Sequence, residues 1–215
     1  MALSKFEYNS FDVTPVASNA FAFNSTPNGL TTAASGAMNL ISTSTISSGV
    51  STVSIASGID STYDTYLFKY INIHPASNDV FFQVNFRDGS TAYDATKTTT
   101  SFFAYHNEAG NDQSLAYKTS ADLANGTGVQ QLSFDSVGNG NDESSCGELF
   151  LFNPSSTTFV KHFIARTQIY HDSDYTFDNY LAGYCNTTAA IDGIQFSMSS
   201  GNIDSGVIKM YGITK

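Results

Sequence analysis

Gly193-Ile-Gln-Phe-Ser-Met-Ser199, the turn Ser200-Gly201-Asn202 and the run Ile203-Asp-Ser-Gly-Val-Ile-Lys-Met-Tyr-Gly-Ile213 together decide the fold class. In the first segment Ile194, Phe196 and Met198 alternate with Gln195, Ser197 and Ser199. Successive side chains of a strand point to opposite faces, so this alternation buries one face and wets the other. The glycine-centred turn reverses the chain, and a closing strand over 203–213 completes a hairpin.

The same grammar runs backwards through the chain. Phe82, Val84 and Phe86 alternate with Gln83, Asn85 and Arg87 before the turn Asp88-Gly89. Tyr66 to Ile73 is apolar on both faces and stops at Pro75, which cannot donate to a ladder. Further strands are expected over 98–105, 129–134, 147–152 (ended by Asn153-Pro154), 159–170 and, after an acidic loop, 180–185. The polar stretch 107–127 reads as loop, with one helical turn at 120–124. About eight strands at this spacing, with no heptads and no short-period repeat, predict an all-β fold: an antiparallel β-sandwich of jelly-roll type.

Composition agrees. The 215 residues include 17 Phe and 12 Tyr but no Trp, and only 13% are charged. Aromatic residues suit pleated, half-buried surfaces, whereas the abundant Ser, Thr and Asn are poor in helix interiors. Residues 1–61 differ from 62–215. The first 60 carry only Lys5, Glu7, Asp12 and Asp60 as charges, between short apolar stretches. They are expected to form an extended arm and first strands that anchor the chain to a neighbour through Phe6, Phe11, Phe21, Phe23, Leu40 and Ile41. The sandwich is assigned to 62–215.

The net charge of −10 repels phosphate backbones, and no Lys/Arg cluster offsets it, so no nucleic-acid partner is expected. No apolar run approaches the roughly 20 residues of a membrane helix, and the first residues lack the apolar core of an export signal. Neither a membrane association nor a secretory route is therefore expected.

Chemistry-bearing patterns are sparse. The histidines His74, His106, His162 and His171 fall in no metal or nucleophile motif, no GxSxG elbow is present, and no carboxylate pair is set by spacing. The chain is expected not to be an enzyme. Asp172, Asp174 and Asp178 share an acidic loop, as do Asn139, Asn141, Asp142 and Glu143. Such loops offer the hard oxygens calcium prefers, but neither has EF-hand spacing, and a solvated acidic loop is the plainer reading. Cys146 and Cys185 read either as two buried thiols or as one disulfide. Tyr105, Tyr117, Tyr175 and Tyr180 fall near predicted loops among Asp and Asn, as on many ligand-binding faces.

Several segments resemble one family. Met198 to Ile213, together with Ile71-Asn-Ile-His-Pro-Ala76, Gln83-Val-Asn-Phe-Arg-Asp-Gly89 and Gly147-Glu-Leu-Phe-Leu-Phe-Asn-Pro154, is similar to virion structural proteins of tailed phages, particularly marine phages of cyanobacteria. The resemblance spans roughly residues 62–213. It implies a jelly-roll protein at the virion surface, trimeric, made in the host cytoplasm and partnered by capsid, tail or fibre subunits. It implies no catalytic residue. It leaves open a head decoration (cement) role, which the compact chain favours, and a tail-fibre tip or baseplate adhesin that binds host glycan.

Overall fold

The computed structural model describes residues 19–23, 30–34 and 37–213. The chain divides into two units, Met1–Asn39 and Leu40–Lys215. In the first, β1 (Asn19–Phe23) and β2 (Leu30–Ala34) form an antiparallel hairpin. Phe21 and Phe23 lie on β1, while Phe6 and Phe11 lie outside the described residues.

The second unit is an all-β sandwich of two antiparallel sheets. Its strands are β3 (Met38–Ile46), β4 (Thr52–Ile55), β5 (Thr65–Pro75), β6 (Phe82–Arg87), β7 (Lys97–Asn107), β8 (Gln113–Tyr117), β9 (Gln130–Gln131), β10 (Ser145–Phe152), β11 (Lys161–His171), β12 (Tyr175–Cys185), β13 (Gly193–Met198) and β14 (Ile203–Ile213). The larger sheet runs β3-β14-β5-β10-β11-β12-β7-β8 and the smaller β4-β13-β6-β9. Eight of these strands pair in nested fashion: β3 with β14, β4 with β13, β5 with β10 and β6 with β9. The other four, β11, β12, β7 and β8, continue the larger sheet past β10. No helix among the described residues is long and apolar enough to cross a membrane.

The core is where the alternation places it. Phe68 and Tyr70 on β5 meet Phe82 on β6 and Phe196 on β13, with the Phe82 and Phe196 rings stacked 5.8 Å apart. All four are completely buried. The Tyr70 hydroxyl contacts Thr167 Oγ1 at 2.5 Å, so the one polar tip in this cluster is satisfied. Burial raises its pKa far above the ordinary tyrosine range. At Gly147 a Cβ would stand 2.3 Å from Arg166 O and 2.6 Å from the Tyr70 ring. Only glycine lets β10 lie between these groups. Gly201, at φ +71°, turns the final hairpin as the sequence leads one to expect.

Four expectations need correction. The unit boundary falls at 39/40 rather than 61/62, because Ile46, Val53, Ile55 and Ile59 are buried in the sandwich core. Leu40 and Ile41 thus belong to edge strand β3, with Ile41 packed against the core and Leu40 exposed. The polar stretch after residue 107 contains β8, an edge strand whose five residues bury almost nothing and so leave no apolar periodicity to read. Within it, the helical turn is a single 3-10 turn at Thr119–Ala121. Finally, β12 starts at Tyr175, so Asp178 sits in a strand and not in a loop.

Candidate functional site

The outward face of the larger sheet is unlike that of an ordinary wet sheet. Reading the register across it gives the row Lys209, Lys69, Glu148, Arg166, Tyr180, Phe102, Tyr117. The adjacent row is Tyr211, Leu67, Phe150, Ile164, Ala182, Thr100. Side chains along one row are cross-strand neighbours and act together.

The first row passes from charged to aromatic. Lys69 pairs with Glu148 at 3.6 Å. Arg166 grips Asp178 with two bonds, Nε to Oδ1 at 2.9 Å and Nη2 to Oδ2 at 2.6 Å, and its guanidinium lies 5.1 Å from the Tyr180 ring centre. The Arg166 hydrogen bond is the main reason the Asp178 carboxyl is held below its ordinary range. Tyr180 stacks on Phe102 at 4.8 Å with planes only 3° apart, and Phe102 pairs in register with Tyr117. The Tyr117 hydroxyl bonds Asp122. The second row is almost wholly apolar. Within it Leu67 is buried and Ile164 is 51% exposed, while on the other side of the first row Leu115, paired in register with Ala104, is 70% exposed. Beside Ile164 a depression of about 490 Å³ opens, lined also by His162, Ala182, Gly183 and Tyr184.

Where β7 and β11 end and β12 begins, the face turns polar. A cleft of about 480 Å³ is lined by His106, Glu108, Asp142, Tyr170 and Tyr175, and one of about 540 Å³ by Lys69, Ile71, Cys146, Glu148 and Arg166. Gln168 and Thr176 line both, so they join into a single groove. The Tyr170 hydroxyl lies 3.2 Å from Asp174 Oδ1 and 3.4 Å from Glu108 Oε1. The bond to Asp174 is the chief cause that pushes its pKa up to about 12. Tyr175 donates to Asp112 Oδ2 at 2.9 Å and Tyr105 to Oδ1 of the same carboxylate at 3.3 Å, and both hydroxyls are raised in pKa. Hydroxyls and carboxylates fixed in this way present paired donors and acceptors.

The four tyrosines singled out from sequence therefore separate into two groups. Tyr117 and Tyr180 belong to the aromatic row, and Tyr105 and Tyr175 to the cluster around Asp112. Reading the sequence missed Phe102, Ile164 and Leu115. The signal was available at Ile164, an apolar residue on the polar beat of β11, but β8 gave none.

The structure does not bring Asp172, Asp174 and Asp178 together. Asp172 meets His171 Nδ1 at 2.9 Å and Asn78 Nδ2 at 2.9 Å, Asp174 is engaged by Tyr170, and Asp178 by Arg166. No group of three or more His, Cys, Asp or Glu suited to a metal occurs among the described residues. The second acidic loop closes on itself, because Glu143 Oε2 accepts the Gly140 N–H at 2.5 Å. Cys146 and Cys185 are both free. Their strands, β10 and β12, are separated by β11.

One arrangement superficially suits nucleophilic catalysis. His171 Nε2 lies 3.1 Å from Ser136 Oγ, and Nδ1 lies beside Asp172. However, Nδ1 faces both the Asp172 carboxylate at 2.9 Å and the Ser173 backbone N–H at 3.1 Å, and Ser136 is buried at 2% exposure, so its hydroxyl has no open side for a substrate.

No protein-family model matches the chain, and no curated protein matches it at a significant level.

Proposed function

We propose that this chain is a non-enzymatic structural protein of a tailed-phage particle, a head decoration or cement subunit whose larger sheet packs against neighbouring subunits. The observation that carries the reading is the set of exposed apolar side chains on the outward face of the larger sheet, Ile164 on β11, Phe102 on β7, and Leu115 and Tyr117 on β8. Exposed apolar patches of this extent mark surfaces that another protein covers. Three further points support it. The nested pairing of eight strands is compatible with a jelly roll, a sandwich rolled from one long hairpin. Segments along 62–213 resemble virion proteins built on that fold. Many symmetric copies also let each contact be weak while the whole holds. A trimer, with capsid protein as the further partner, is the arrangement this reading expects.

A second reading rests on the polar groove. Hydroxyls and carboxylates beside stacked aromatic rings suit host glycan, as in a tail-fibre tip or baseplate adhesin. Gold-labelled antibody on intact particles separates the two: head labelling is expected for a cement protein, and tail-only labelling would reject it in favour of the adhesin. A glycan array with the purified protein should be silent for a cement subunit. Deleting residues 1–36, ahead of β3, should leave the sandwich folded while reducing incorporation into particles.

A further inference from the structure

Lys97 opens β7 on the larger sheet and is completely buried, and Asn85 on β6 of the smaller sheet is 5% exposed. Lys97 Nζ donates to Asn85 Oδ1 at 2.5 Å and to Ala95 O at 2.7 Å. Both acceptors are neutral. Among the described residues no carboxylate lies within ion-pair distance of Nζ. An ammonium so placed is strongly penalised, and the amine is the form that burial favours. Accordingly burial draws the Lys97 pKa down to about 8, against the smaller opposing influence of Cys185, Asp94 and Asp88. Cys185 supplies no counter-charge, because burial pushes its thiol up to about 12.

In its amine form, Lys97 held against a carboxamide and away from water is a nucleophile beside its electrophile. The surroundings favour attack. Asn85 Oδ1 also accepts the Phe86 backbone N–H at 3.0 Å, a donor placed where negative charge would develop on that oxygen. Asn85 Nδ2 faces Thr127 O at 3.4 Å, which holds the amide plane with its nitrogen turned away from the lysine.

We propose that Lys97 and Asn85 join in an intramolecular isopeptide bond. The Nζ lone pair attacks Asn85 Cγ, and the Nζ–Cγ bond forms. The Cγ–Nδ2 bond breaks, one Nζ proton passes to the departing nitrogen, and ammonia leaves. Nothing is oxidised or reduced, and no co-reactant is consumed. The bond ties β6 to β7, and so the smaller sheet to the larger, in a sandwich whose two cysteines are free.

Intact mass spectrometry of the full chain in denaturant tests this. The wild-type protein, folded and held above pH 8 where the amine is abundant, should weigh less than its sequence by one ammonia. Tandem spectra of a digest should contain a branched peptide joining Asn85 to Lys97. Lys97→Met and Asn85→Ala should each have the full sequence mass. A wild-type mass equal to that of the sequence overturns the proposal. So does a loss of ammonia that persists in Lys97→Met, since it would then come from ring closure of an asparagine onto its own backbone, as at Asn125-Gly126 or Asn139-Gly140. The wild-type branched peptide decides the matter even if a variant fails to fold.

Discussion

The two faces of β11 are built from the same eleven residues and have opposite fates. Inward, Phe163, Ala165, Thr167 and Ile169 are buried, with the Phe163 ring 4.9 Å from that of Phe86 on the other sheet. Outward, His162, Ile164, Arg166 and Gln168 are exposed. The inner face obeys one rule, that apolar area leaves water on folding. On the outer face Ile164, Arg166 and the neighbouring Tyr180 contribute little to that burial, so folding alone does not explain them. The fold is written on one side of the sheet, and the surface we propose for neighbouring subunits lies on the other.

Substitutions can break this comparison. Phe163→Ala, on the inner face, should have the largest effect, a loss of about 3–5 kcal/mol in denaturant unfolding, because it removes a ring and leaves a cavity between the sheets. Ile164→Lys and Leu115→Lys, on the outer face, should each change stability by no more than about 0.5 kcal/mol. Both should nevertheless abolish self-association in sedimentation and exclude the protein from particles. If Ile164→Lys destabilises the isolated chain as strongly as Phe163→Ala, the two faces are not distinct. The smallest effect is expected at Arg166→Gln. Asp178 has a lowered pKa in the folded state, so its contribution is present above the unfolded pKa of about 3.9 and is lost as pH falls through the folded value. The variant should be slightly less stable than wild type at neutral pH, by an amount that salt screens further because the pair is exposed, and the two stability curves should converge on the acid limb, where Asp178 is protonated in both.

How much could be read beforehand follows the same division. The alternation at Ile194, Phe196 and Met198 and at Phe82, Val84 and Phe86 specified buried strands, because burial on one face imposes a period of two. Cys146 and Cys185 were left open between free thiols and a bridge, since strand order decides it and one sequence does not carry strand order. The start of β12 was hidden because Asp174 and Asp178 flank Tyr175-Thr-Phe177, and a carboxylate that reads as loop is here held by Arg166 across a strand pair. Tyr117 and Tyr180 stand out in the sequence, but their joining into one aromatic row does not. Arg166, Tyr180, Phe102 and Tyr117 come from four strands, and only the register makes them neighbours.

Photo-crosslinking within assembled particles tests the central claim most directly. A photoreactive residue at position 164 reports on the outward face of the larger sheet, and one at position 197, on the outward beat of β13, on that of the smaller sheet. Position 164 should crosslink to a neighbouring subunit and position 197 should not. Crosslinks from 197 alone, or from neither position in fully assembled particles, would contradict the account.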